Sequence, residues 1–133
     1  MRFDLVGIIE NNLPRSPGVP VSSAQTLAFP RGASVDVGIR VILPTGAPVD
    51  MTGGTLELNV KRTANEIPPR MLKRATITGA QAVVSFGPRD TEWMEAGSYL
   101  YDVWWTPPTP STAREPVILL SRLILLGSAT KIV

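Results

Sequence analysis

Apolar and polar residues alternate most regularly between Ser34 and Leu43. There Val35, Val37, Ile39 and Val41 fall on one side and Asp36, Gly38 and Arg40 on the other. A period of two predicts a β-strand with one face buried and one wet. The same pattern returns at Thr55–Lys61, where Leu56, Leu58 and Val60 alternate with Glu57, Asn59 and Lys61. Shorter apolar stretches predict further strands at Arg2–Ile9, Gln25–Pro30, Met71–Thr78, Ala82–Phe86, Ser98–Thr106 and Pro116–Leu126. Asp90–Met94 predicts one helical turn capped by Asp90 or Thr91. No stretch sustains an apolar period of 3.6, and no internal repeat is present. Short strands separated by turns at this spacing predict an all-β, immunoglobulin-like antiparallel β-sandwich.

Proline and glycine set the punctuation. Pro14, Pro17 and Pro20 hold the backbone of residues 11–20 extended, which predicts a semi-rigid linker. The predicted organisation is therefore an N-terminal arm and linker over residues 1–20 and a sandwich domain over residues 21–133. An apolar strand on a stiff tether is suited to joining a neighbour's sheet edge, so the arm is expected to pair with another copy or another protein. Its anchors would be Phe3, Leu5, Ile8 and Ile9.

The last two strands break the half-buried rule. Along Ser98–Thr106, Tyr99, Tyr101, Val103 and Trp105 share one face, while Leu100 and Trp104 lie on the other. Along Pro116–Leu126, strict alternation puts Ile118, Leu120, Arg122, Ile124 and Leu126 opposite Val117, Leu119, Ser121, Leu123 and Leu125. Both faces are apolar. Either the N-terminal arm or another strand of the same chain covers the second face, or it is a protein–protein interface carried by Trp104, Trp105, Ile118, Leu120, Arg122 and Ile124.

Composition narrows the chemistry. The 133 residues contain neither His nor Cys. That removes an imidazole base, a thiol nucleophile, a disulfide framework and the ordinary zinc ligand sets. Asp90, Glu92 and Glu95 crowd into one turn, a spacing that does not set two carboxylates across a substrate cleft. Asp50, Asp90 and Asp102 lack the spacing of a calcium loop. No catalytic residue, cofactor or metal is expected.

Charge is nearly balanced at +2, but it is segregated. Lys61, Arg62, Arg70, Lys73 and Arg74 face only Glu66 in their stretch, and Asp90, Glu92, Glu95 and Asp102 face only Arg89 in theirs. With no aromatic residue between Thr63 and Thr78 to stack on a base, nucleic acid is not an expected partner. The two stretches could instead meet across copies. The longest apolar run, Val117–Leu126, carries Arg122 at its centre and spans about half a bilayer crossing, so no membrane partner is expected.

Turn chemistry then points further. Gly46 and Gly53 stand where tight turns need positive φ, and Asp50 and Thr52 can bond backbone amides there. Gly97-Ser98-Tyr99 at a strand entry reads as a tyrosine corner, in which the phenol bonds backbone a few residues upstream. The order Phe29-Pro30-Arg31-Gly32-Ala33-Ser34-Val35, Pro44-Thr45-Gly46-Ala47-Pro48-Val49-Asp50-Met51-Thr52-Gly53, Asp90-Thr91 and Gly97-Ser98-Tyr99-Leu100-Tyr101-Asp102 resembles the immunoglobulin-like module of tailed-bacteriophage virion proteins, as found in upper-baseplate and fibre-attachment proteins. The resemblance spans roughly residues 27–126. Ala33-Ser34 departs from it where an acidic residue is common, as does the proline-rich loop at 107–110.

The resemblance implies a non-enzymatic virion protein, an adaptor of tail, baseplate or fibre, whose partners are other virion proteins and its own copies. A capsid decoration or head-fibre protein is the alternative. A carbohydrate-binding module contacting host-surface glycan through Trp93, Trp104 and Trp105 is the further one.

Overall fold

The computed structural model describes residues 1–9, 25–109 and 114–127, without the side chains at 119 and 120. Nine strands and one short helix run in the order β1 (Arg2–Ile8), β2 (Leu27–Pro30), β3 (Val35–Ile42), β4 (Thr55–Lys61), β5 (Met71–Arg74), β6 (Thr76–Thr78), β7 (Gln81–Phe86), α1 (Pro88–Thr91), β8 (Gly97–Thr106) and β9 (Glu115–Leu126). They form a four-stranded sheet ordered β1-β3-β7-β6 and a five-stranded sheet ordered β2-β9-β8-β4-β5. The chain is an all-β sandwich. The expected linker lies outside the described residues.

The alternating segments set the core. Val35, Val37, Ile39 and Val41 of β3 face Leu56, Leu58 and Val60 of β4, and all seven are at most 1% exposed. Phe29 ties the layers together, its ring 6.2 Å from Phe3 on β1 and 5.7 Å from Phe86 on β7. Offset aromatic contacts of this kind add to the burial of apolar area.

Three expectations need correction. The sandwich is not purely antiparallel: β1 pairs parallel with β3, from Arg2↔Asp36 to Ile8↔Ile42, and β2 pairs parallel with β9. The N-terminal segment is accordingly a strand of its own chain's sheet, because Leu5 and Ile8 gain burial there while its backbone completes a ladder. Met71–Thr78 is two strands. The chain passes between sheets at Ala75, whose N–H donates to the Leu56 carbonyl at 2.9 Å.

The helical turn also starts earlier than its side chains predict. Gly87 is the N-cap, and the Asp90 carboxylate accepts the Gly87 N–H at 2.7 Å from the third helical position. Proline at the first helical position explains the shift, since it costs no hydrogen bond there.

Candidate functional site

Alternation fails along β9 for a definable reason. Its register against β8 moves from Tyr101↔Ser121 to Val103↔Ile118 and then Trp104↔Pro116, so β9 carries an extra residue at each of two shifts. A bulge re-aims side chains. Ile118 therefore turns into the core beside Val103, and Val117 is buried as well. Gly7 of β1 makes room for it, since a Cβ there would come within 2.9 Å of Val117 Cγ2. The second apolar face is thus partly covered from within the chain.

Of the expected contact residues, Leu5, Ile9, Trp105 and Ile118 belong to the core, and Ile8 is buried outside that cluster. Phe3 is half-buried against it. Gly54 explains the depth of Trp105, because a Cβ on Gly54 would lie 2.4 Å from the Trp105 ring. The Leu120 side chain lies outside the described residues. Trp104 and Ile124 remain half-buried on the outer face, with Arg122 exposed between the strand ends. The Arg114 guanidinium stacks 4.3 Å from the Trp104 ring centroid, a cation–π contact that occupies part of it.

Beneath this face sits a polar pair. Asn59 Nδ2 donates to Asp102 Oδ1 at 3.1 Å, and Lys61 Nζ lies 3.8 Å from Asp102 Oδ2. Asp102 is only 7% exposed although it points away from the core. Lys73 Nζ likewise donates to Asp90 at 3.1 Å. The basic and acidic stretches therefore meet inside one chain, through Lys61 with Asp102 and Lys73 with Asp90.

Four of the exposed large hydrophobic side chains lie toward one end of the sandwich, and Leu72, 47% exposed, stands on β5. Met1, Ile67, Trp93 and Leu126 are 62%, 89%, 60% and 48% exposed. Met1 precedes β1, beside Ser34. Arg31 N donates to the Leu126 carbonyl, and Arg31 Nη1 to the Met94 carbonyl beside Trp93. The loop holding Ile67 is joined to the same end by Arg62, whose Nη1 donates to the Ser98 carbonyl at 3.1 Å and whose guanidinium lies 4.5 Å from the Tyr99 ring centroid.

The turn residues do local work. Gly32, Gly46, Gly53 and Gly97 adopt φ of 78°, 91°, 85° and 141°. Gly32 N donates to the Thr91 hydroxyl at 2.9 Å, which ties the β2–β3 turn to α1. Asp50 Oδ1 accepts Thr52 N–H and Oγ1–H at 3.0 and 2.7 Å. Those bonds hold its carboxyl below the usual carboxylate range. Tyr99 Oη donates to the Glu95 carbonyl at 2.7 Å, forming the corner four residues upstream.

Gln25 gave no signal in the periodicity, yet it clasps three strands. Its side-chain amide donates to Val6 O at 2.8 Å and accepts Val6 N–H at 2.9 Å, replacing a ladder partner on the open side of β1. Its own N–H donates to Ser121 Oγ at 3.3 Å, and its carbonyl accepts the Tyr101 phenol. Burial pushes that phenol up to about 12.

A second surface lies on the outer face of the four-stranded sheet. Gly38 leaves a groove of about 320 Å³ edged by Arg2, Asp4, Val6, Arg40 and Gln81. Among the described residues, no three Asp or Glu side chains gather to hold a metal.

No family model and no curated protein matches the chain. Among solved structures it is similar to the N-terminal domain of phage TP901-1 ORF48, at 8% identity and a TM-score of 0.48, over 96% of this chain and 99% of that one. It is also similar to the cysteine protease inhibitor EhICP2 from Entamoeba histolytica, at 13% identity and 0.42, over 92% and 97%. Scores under one half at such identities decide neither the fold nor the role.

Proposed function

We propose that this chain is a non-enzymatic structural protein of a tailed-phage particle, an adaptor of tail, baseplate or fibre that works by assembling with other virion proteins and its own copies. The observation that carries the reading is the gathering of Met1, Ile67, Trp93 and Leu126 at one end of the sandwich. Large apolar side chains left exposed at one end of a domain favour a protein contact there. The residues of the virion-module resemblance support it by serving the frame: Gly32, Asp50, Gly53 and Tyr99 all hold turns and corners.

The contact surface differs from the one read from alternation. We place it at the Trp93 end, continued onto the outer face by Ile124 and Arg122, since the β1 ladder is already made within the chain; Trp104 stands toward the other end of β8. A capsid decoration or head-fibre role uses the same surface. Stacking of glycan on Trp104 is disfavoured by the guanidinium already on its ring.

Antibody against this protein, imaged on negatively stained particles, tests the reading. Label at the tail tip or fibres supports it, label on the head moves the protein to the capsid, and unlabelled particles overturn it. A Trp93→Glu substitution is expected to abolish incorporation while leaving the purified chain folded.

A further inference from the structure

The groove over Gly38 has a chemistry that the assembly reading does not use and on which it does not depend. Strand register places Asp4, Gly38 and Val83 in one row across β1, β3 and β7, and Val6, Arg40 and Gln81 in the next. A side chain at Gly38 would fill the space between them: its Cβ would lie 2.4 Å from Arg2 Nη2 and 2.7 Å from Asp4 Oδ1. Arg2 and Asp4 instead lean over bare backbone, joined by Arg2 Nε donating to Asp4 Oδ1 at 3.2 Å. The other guanidinium N–H groups of Arg2 point to no acceptor among the described residues. Arg40 and the Gln81 amide stand exposed on the far side, with no side-chain partner among the described residues.

The donor and acceptor set is selective. Two guanidinium groups favour a carboxylate, since planar N–H forks match its oxygens. Asp4 sits between them and repels a bare anion. It is tolerated only by a ligand that also presents hydroxyl donors, which Gln81 can engage too. Val6 supplies an apolar contact at the rim. An acidic peptide side chain offers the carboxylate without hydroxyls, and a neutral sugar the reverse. About 320 Å³ is at the lower limit of small-molecule sites and suits one sugar ring.

We propose that this groove binds the carboxylate-bearing sugar unit of an acidic glycan, a uronic or sialic acid, with Arg40 and Arg2 on the carboxylate and Asp4 and Gln81 on ring hydroxyls.

The test is an amide-resolved NMR titration of the intact chain with glucuronate and N-acetylneuraminate, alongside glucose, acetate and poly-glutamate. Saturable shifts confined to β1, β3 and β7 are expected for at least one acidic sugar, with a dissociation constant on the order of 1 mM. Arg40→Ala is expected to weaken binding roughly tenfold, the effect of losing one charge-assisted contact. Asp4→Asn should weaken the sugar while leaving acetate equal or stronger. Both positions are exposed, and unchanged spectra elsewhere verify folding. Equal shifts with acetate or poly-glutamate, equal shifts with glucose, or no shift with either acid would each overturn the proposal. None of these outcomes bears on particle labelling, so the two readings fail separately.

Discussion

On the four-stranded sheet the outward positions include Arg2, Asp4, Asp36, Arg40 and Ser85 beside Val6 and Val83, whereas along β8 and β9 of the five-stranded sheet they include Leu100, Trp104, Ile124 and Leu126. The inward positions of both sheets are alike, so the core does not account for the contrast. A charged face with a glycine gap presents donors and acceptors to a small polar ligand. An apolar stretch of β8 and β9 with Asp102 sunk beneath it presents area. One sandwich thus offers two kinds of contact, and each can be broken without the other.

The largest expected effect removes what the two faces share. Phe29→Ala deletes the ring between the layers and should cost about 3–5 kcal/mol in urea unfolding, with both faces lost together. Next is Gln25→Ala, which leaves the Val6 N–H and carbonyl without partners. A loss of about 1–3 kcal/mol is expected, with faster amide exchange in β1 and unchanged exchange in β4 and β8. If β1 kept its protection, the clasp would have no role in holding the charged face.

Tyr99→Phe removes one bond to the Glu95 carbonyl and should cost about 1 kcal/mol. It loosens the Trp93 end and spares the groove. Tyr101 supplies a pH test. Its phenol titrates near 12 folded and near 10 unfolded, so its stabilising contribution is whole below about pH 10 and is lost as pH rises to about 12. Tyr101→Phe should flatten the fall of the unfolding midpoint across that window. The smallest stability change, within about 0.5 kcal/mol, is expected for Trp104→Ala on the outer face. Its effect should appear in assembly.

Sequence patterning made the core strands legible wherever a strand has one wet face. Val35–Val41 and Leu56–Val60 alternate because their outer neighbours are solvated. β9 was misread at Ile118 because a bulge changes parity without changing composition. β1 reads as an arm that pairs with another copy or another protein because an apolar strand looks the same whether its ladder partner belongs to its own chain or another's. The turn glycines and the Tyr99 corner were visible, since their constraints are local. Gln25, Gly38 and Gly54 were not. Their roles arise from residues brought close by the fold, such as Val6, Arg2 and Trp105.

The pairing of β2 has a kinetic consequence. Leu27–Pro30 finds its ladder only in Leu123–Leu126, so the two partners of each rung lie 96 residues apart in the chain. At ribosomal rates of 5–20 residues per second, β2 waits about 5 to 20 s for its partner to be made. Through that interval Phe29 has no sheet to hold it, and the seam between the layers stays open. Closing this sandwich therefore waits on the synthesis of β9, and the apolar strand is buried as it pairs.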